Sequence, residues 1–319
     1  MNRRTFLKWQ MRGIVLAGTG LGLGNSLLSL DALAASEPAS LQATGDSRPD
    51  VAVIRGDPAA AARAAVNMLG GMSRFVKPGQ KVLIKPNMSF AQTPDKATTT
   101  HPEVVREILV MCKEAGAGSV RVLDHSLQNP ALALQRSGIL DACNSVQSGI
   151  CHHLMDADFY VDAPLEAALS MRENAFMRDA LEADVIIAAP VAKSHGSTGV
   201  SLSLKGQMGL ILNRSSMHSR YPLSTSIVDL NTKVKPHLAV IDATRVLSTG
   251  GPGGPGKVLL PGEIIASADP VAADSTAVAS YEWGGMRIAP RQVAYLREAH
   301  DRGLGRMDIE NLIISRNTL

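Results

Sequence analysis

The chain has 319 residues, 45% hydrophobic but only 3% aromatic, with 28 glycines and a formal net charge of +3. That length suits one large α/β domain or two smaller lobes, packed from Val, Ile, Leu and Ala rather than from rings. The first 34 residues hold four basic residues and one acidic residue and leave 28 of each behind, so the charge points to neither nucleic acid nor an anionic membrane.

Arg3 and Arg4 precede Phe6-Leu7-Lys8, a weakly apolar stretch runs from Gly13 to Leu30, and Ala32-Leu33-Ala34 offers an A-x-A cleavage site. This segment resembles a twin-arginine export signal. Glycines at 18, 20, 22 and 24 weigh against a lasting membrane span after cleavage. The expected organisation is a signal over 1–34, a polar linker over 35–49 and one α/β domain over 50–319. The expected destination is the periplasm, reached folded through the twin-arginine machinery. Export in the folded state suits a protein loaded with a cofactor, or one assembled with a partner such as a periplasmic redox enzyme.

From residue 50 strand-like and helix-like patterns alternate. DVAVIRG (50–56), KVLIKPN (81–87), SVRVLDHS (119–126), ADVIIAAPVAK (183–193), HLAVIDATRVL (237–247), EIIASAD (263–269) and NLIISR (311–316) read as strands. PAAAARAAVNMLGGM and HPEVVREILVMCKEAG read as helices, SLKGQMGLIL as a third, and two more precede the last strand. Residues 127–182 are less regular. The strands are continuous apolar runs, as in sheets covered on both faces. The pattern predicts a layered α/β fold with a mainly parallel sheet flanked by helices. Cys112, Cys143 and Cys151 include no C-x-x-C pair, so this chain shows no iron–sulfur or structural zinc ligand set. Cys143 and Cys151 are close enough in sequence to pair in an oxidising compartment.

In parallel sheets, chemistry collects at the carboxyl ends of the strands. Here those ends carry Lys85 and Asn87, Asp124, Lys193 and His195, Asp242, and Asp269 with Asp274 soon after. Each has a plain structural reading, and Asp269 before Pro270 reads as a helix cap. Thr99 and Thr100, with Thr98, stand at a helix start where hydroxyls cap and free N–H groups can receive an anion. The glycine loop STGGPGGPG (248–256) is neither a P-loop nor a dinucleotide fingerprint; it either covers a site or links two strands. Lys193 and His195 both face a ligand only if the strand breaks near Ser194. Lys205 stands at a helix entry, which disfavours a cation, so it calls for a ligand or a carboxylate partner. His218 follows in NRSSMHSR.

IKPN (84–87), TTHPE (99–103), AKSH (192–195), SLSLKGQMG (201–209), VIDA (240–243), GGPGG (250–254) and ADPVAAD (268–274) together resemble the bacterial and archaeal "domain of unknown function 362" proteins. Those proteins are often attached to ferredoxin-type iron–sulfur modules, which this chain lacks. In many of them Asn follows the lysine that matches Lys205, whereas this chain has Gly206. A weaker resemblance is to nickel-pincer lactate racemases, which share the order His195, Lys205, His218 but differ in their N-terminal motifs. It implies a lysine that anchors a cofactor covalently and histidines that handle metal and protons.

Two functional readings follow. In the first, an exported metal- or cofactor-dependent enzyme acts on a small anionic substrate. Lys193, His195, Lys205 and His218 would be catalytic, and Lys85, Asn87, Thr99, Thr100 and Asp242 would bind the cofactor or anion. Asp124, His195 and Asp274 would hold a divalent metal, for which His with carboxylate suits zinc, iron, nickel and others alike. In the second, the same cluster serves a non-catalytic binding protein or a cofactor-maturation partner of a redox enzyme. A purely structural role leaves the ionisable strand ends without a purpose.

Overall fold

The computed structural model describes residues 48–319. The segment that resembles a twin-arginine signal and nearly all of the expected linker lie outside those residues. Thirteen strands form, the first four being β1 (Val51–Arg55), β2 (Lys81–Pro86), β3 (Ser119–Asp124) and β4 (Cys151–His153). β5 (Tyr160–Pro164) and β6 (Glu173–Met177) make a separate antiparallel hairpin. β7 (Val185–Ala189), β8 (Val191–His195), β9 (Gly199–Ser201) and β10 (Leu238–Leu247) follow, then β11 (Val258–Leu259), β12 (Glu263–Ser267) and β13 (Ile314–Thr318).

The main sheet runs β13-β1-β12-β10-β7-β2-β3-β4. The β1–β13, β10–β7, β7–β2, β2–β3 and β3–β4 pairs are parallel, and β12 lies antiparallel to both neighbours. Alternate residues of each central strand enter opposite cores. Val82 and Ile84 pack with the helices Pro58–Met68 and Pro102–Glu114, whereas Leu83 joins the core of the helices Leu223–Lys233 and Pro270–Ser280. Both faces are therefore apolar, which is why the strands lack alternation. The fold is the layered, mainly parallel α/β class that the pattern predicts. No described helix is long and apolar enough to cross a membrane.

Three local departures matter for the site. The run 183–193 is two strands, because Pro190 cannot donate to a ladder and interrupts β7 from β8. β8 then pairs with the far half of β10 and folds back on β9. The antiparallel β12 sends Asp269 to the opposite sheet edge from Lys85, Asp124 and Lys193. There Asp269 caps the Pro270–Ser280 helix, accepting from Val271 N and Ala272 N at 2.8 and 3.1 Å. Within 127–182, β4 extends the sheet and the β5–β6 hairpin stands apart, neither of them signalled by periodicity. The three cysteines are buried free thiols. Cys143 and Cys151 are not bonded; Cys151 Sγ lies 3.9 Å from Met88 Sδ, inside the core rather than in a loop.

The segment before Pro102 is tied to the sheet from several directions. Thr100 Oγ1 accepts from Asn87 N at 2.9 Å and donates to Ala189 O at 2.7 Å, joining the ends of β2 and β7. Thr100→Val removes both bonds at a fully buried position and leaves the Asn87 N–H unpaired. A loss of about 1–3 kcal/mol in urea unfolding is expected; a change under about 0.5 kcal/mol, the range of a neutral surface substitution, would contradict this tie.

Candidate active site

A cavity of about 560 Å³ opens at the carboxyl ends of β2, β3 and β8. Its wall carries Lys85, Lys193, Lys205 and Arg214 against one carboxylate, Asp124. His195 and His218 complete the ionisable set, and Phe90, Leu127, Met208 and Pro252 give it an apolar side.

Lys85 and Asp124 pair at 2.9 Å, both almost fully buried. Lys85 Nζ also donates to Pro86 O at 2.5 Å. Asp124 accepts further bonds from Met88 N at 3.1 Å, Ser89 Oγ at 2.8 Å and His125 N at 2.9 Å. Burial opposes its charge, but Lys85, His153 and Arg214 outweigh that and hold the carboxyl below its ordinary range. Burial also pulls Lys85 below the ordinary lysine range, against the pull of Asp124. Gly209 makes room for this pair: a Cβ there would lie 2.5 Å from Lys85 Cε and closer still to Asp124 Oδ1.

Lys193 Nζ donates to Thr98 O at 2.7 Å and stands 5.0 Å from the centre of the Phe90 ring, a cation–π contact. It has no carboxylate partner. Burial first, then the nearby Lys205 and Lys85, push it down to about 7 despite Asp124. Lys205 is also buried, and among the described residues its amine reaches only Met208 Sδ, at 3.7 Å. Burial and Arg214 lower it to about 8. Of the two partners expected for Lys205, a ligand or a carboxylate, no carboxylate pairs with it among the described residues. The short helical turn Ser203–Gly206 that carries Lys205 is held from below: Asp274 accepts from Ser203 N at 2.8 Å and Leu204 N at 3.0 Å, satisfying donors that a helix start leaves free.

His195 is neutral at physiological pH, because burial and then Lys205, His218 and Lys193 push it down to about 3. The Ser197 N–H donates to its Nδ1 at 3.1 Å, which leaves the proton on Nε2. The His218 ring stacks against it with centroids 6.3 Å apart and planes 18° from parallel. Burial, Lys205 and Arg214 lower His218 as well. The glycine loop covers the site as well as linking strands. Pro252 lines the cavity and Gly251 N donates to Ser194 Oγ at 3.0 Å. A Cβ on Gly253 would lie 2.9 Å from Phe90 Cε1.

Of the residues singled out in the sequence, the structure brings Lys85, Asn87, Asp124, Lys193, His195, Lys205 and His218 to one wall. Thr99, Thr100, Asp242 and Asp274 stand off it. Thr100 ties strands, and the buried Thr98 and Thr99 hydroxyls have no partner among the described residues. The helix cap is His101, whose Nδ1 accepts from Glu103 N at 3.2 Å. Asp242 lies within β10 rather than at its end, accepting from His101 N, Thr244 N and Arg245 Nη2. Asp124, His195 and Asp274 do not form a metal site: two are consumed by the bonds above. Among the described residues no three His, Cys, Asp or Glu side chains are grouped to hold an ion.

Arg214, Phe90 and Met208 escaped the sequence reading. Arg214 was within reach of it, since it precedes His218 by one helical turn in the Arg214–Ser219 helix and so shares its face. Phe90 and Met208 carry no chemical signal of their own.

Residues 82–279 match the family described as "Domain of unknown function (DUF362)". The chain belongs to this family. A thylakoid-associated protein of Synechocystis is 25% identical over 224 residues, 67% of each chain. Among solved structures, the lactate racemase apoprotein of Thermoanaerobacterium thermosaccharolyticum is similar over 74% of this chain and 58% of its own, with TM-score 0.47 and 14% identity. A structural-genomics protein from Thermotoga maritima is similar over 59% of this chain and 51% of its own, with TM-score 0.36 and 16% identity. This chain thus spans little more than half the length of those two proteins.

Gly209→Ala should force the Lys85–Asp124 pair apart and cost about 1–3 kcal/mol, the range for overpacking a filled core. Urea unfolding checks this, and a variant as stable as wild type would show that the pair tolerates a different geometry.

Proposed function

We propose that the protein is an exported enzyme acting on a small anionic substrate or anionic cofactor held in the cationic cavity. One observation carries the reading. Four buried or half-buried cations share a wall with a single carboxylate, and that carboxylate is already committed to Lys85. Uncompensated buried charge is costly unless a partner arrives, and an anion of two or more charges supplies it. A volume of about 560 Å³ suits a metabolite-sized ligand.

The neutral His195, with Nε2–H free to donate, and the stacked His218 beside Lys205 favour chemistry over mere storage. A carrier or maturation partner would use the same cations but has no need of paired imidazoles. A bare divalent ion does not fit this wall, because its one carboxylate is saturated and two imidazoles alone remain as donors. Export and the periplasmic location rest on the twin-arginine segment of residues 1–34, as does recruitment of a periplasmic redox partner.

Native mass spectrometry on protein from its own host should show a bound organic anion in wild type that is lost in Lys205→Ala. The released compound, added back to catalytic amounts of wild type, should be consumed; with His195→Ala it should not. Rebinding without consumption would replace the enzyme by a carrier. A bare chain that also ignores oxalate in calorimetric titration would overturn the anion site itself.

A further inference from the structure

Among the described residues, Lys205 differs from the other cations of the cavity in having no oxygen to hold its proton. Lys85 has Asp124 and Pro86 O, Lys193 has Thr98 O, and Arg214 Nη2 donates to Ser126 O at 3.0 Å. Within the described residues Lys205 Nζ meets only the thioether of Met208, a weak acceptor. The charged and titratable groups facing it are Lys193 and His195 from β8, Arg214 and His218 from the Arg214–Ser219 helix, and the Lys85–Asp124 pair from β2 and β3. Asp274 lies beneath the backbone of its turn rather than against the amine. Nothing in this shell stabilises an ammonium, and with its proton leaving near pH 8 a fraction of Lys205 is free amine at neutral pH. A desolvated amine in a lined cavity is a nucleophile toward carbonyl carbon.

The remaining wall describes what such a carbonyl compound must carry. Lys85, Lys193 and Arg214 offer positive charge to a carboxylate, while Phe90, Leu127 and Pro252 give an apolar side and Asn87, Ser89 and Ser201 a neutral polar one for the rest. We propose that Lys205 forms an imine with a small 2-oxo acid or aldehyde acid whose carboxylate is held by Lys193, Lys85 and Arg214. The proposal rests on the cavity being an anion site and assigns the substrate class.

The step balances without an oxidant or reductant. The Nζ lone pair attacks the carbonyl carbon, a C–N bond forms, and the carbonyl π pair moves to oxygen, which takes up a proton. The nitrogen gives up one proton, and the hydroxyl leaves with a second proton as water while the nitrogen lone pair closes the C=N bond. The resulting iminium releases its remaining N–H proton, so that the two protons taken up by oxygen are matched by the two lost from nitrogen. Amine plus carbonyl thus becomes imine plus water. His195 and His218 adjoin Lys205, whose charge acts on both rings more strongly than any other. The more exposed His218 connects the site with solvent protons.

The test is reductive trapping. The full protein is incubated with glyoxylate, reduced with borohydride, digested and mapped by mass spectrometry, with glyoxylate binding measured in parallel by calorimetry. Carboxymethylation at Lys205 is expected to exceed that of any surface lysine at least tenfold. Lys193→Met, which removes one cation that holds the carboxylate, should weaken glyoxylate binding and lower the label at 205 in step with it. Lys205→Arg, which keeps the charge but cannot form the imine, should retain oxalate binding and lose the label. Binding of glyoxylate without preferential labelling of Lys205 would overturn the imine and leave the anion site standing. Absence of both binding and label would overturn both.

Discussion

The architecture of the cavity follows from burying more positive charge than the chain itself neutralises. Moving an ammonium out of water costs several kcal/mol unless a partner replaces the lost hydration. The fold neutralises one lysine fully, through Asp124, and softens a second with the Thr98 carbonyl and the Phe90 ring. Lys205 receives no such help. The cost has a definite pH dependence. An unfolded chain keeps its lysines protonated to about 10, whereas the folded one sheds the protons of Lys193 and Lys205 near 7 and 8. The penalty is therefore complete below pH 7 and disappears as pH climbs toward 10. Asp274 acts in the opposite sense, since burial raises it to about 7 and its contribution is lost as pH rises from 4 to 7. A bound anion would remove the lysine penalty in the neutral range.

Backbone geometry makes this charge arrangement possible. Parallel β2 and β3 place Lys85 and Asp124 side by side, and Gly209 lets the Lys205 segment close over them. The break at Pro190 lets β8 leave β7 and run beside the far half of β10, carrying Lys193 and His195 past the main sheet edge. The β10–β11 connection returns across this extension, so that Pro252 and the glycines around it form the outer wall. Asp242 and Thr100 sit one layer behind, fixing the His101 loop whose Thr98 carbonyl receives Lys193.

Much of this was legible in the sequence. Continuous apolar runs with ionisable tips identified the sheet class and brought Lys85, Asp124, Lys193 and His195 to one edge, because parallel pairing aligns strand ends. What could not be read was strand direction. EIIASAD looks like any other buried strand, yet β12 runs antiparallel and removes Asp269 from the cluster. A carboxylate's partners were equally hidden: Asp124, Asp242 and Asp274 look alike in the sequence, but one faces the cavity and two hold backbone. The metal reading failed for this reason, since it needed free carboxylates. Cys143 and Cys151 lie eight residues apart, but helix and strand formation carries both thiols into the core.

On the proposed reading, Lys193 and Lys205 are buried ammoniums that an external anion completes. Nuclear magnetic resonance detection of the two Nζ groups across a pH titration, with and without oxalate, tests it most directly. Midpoints near 7 for Lys193 and 8 for Lys205 are expected in the free protein, both rising when oxalate saturates the cavity. Midpoints at the ordinary lysine value of 10.5, indifferent to oxalate, would contradict it.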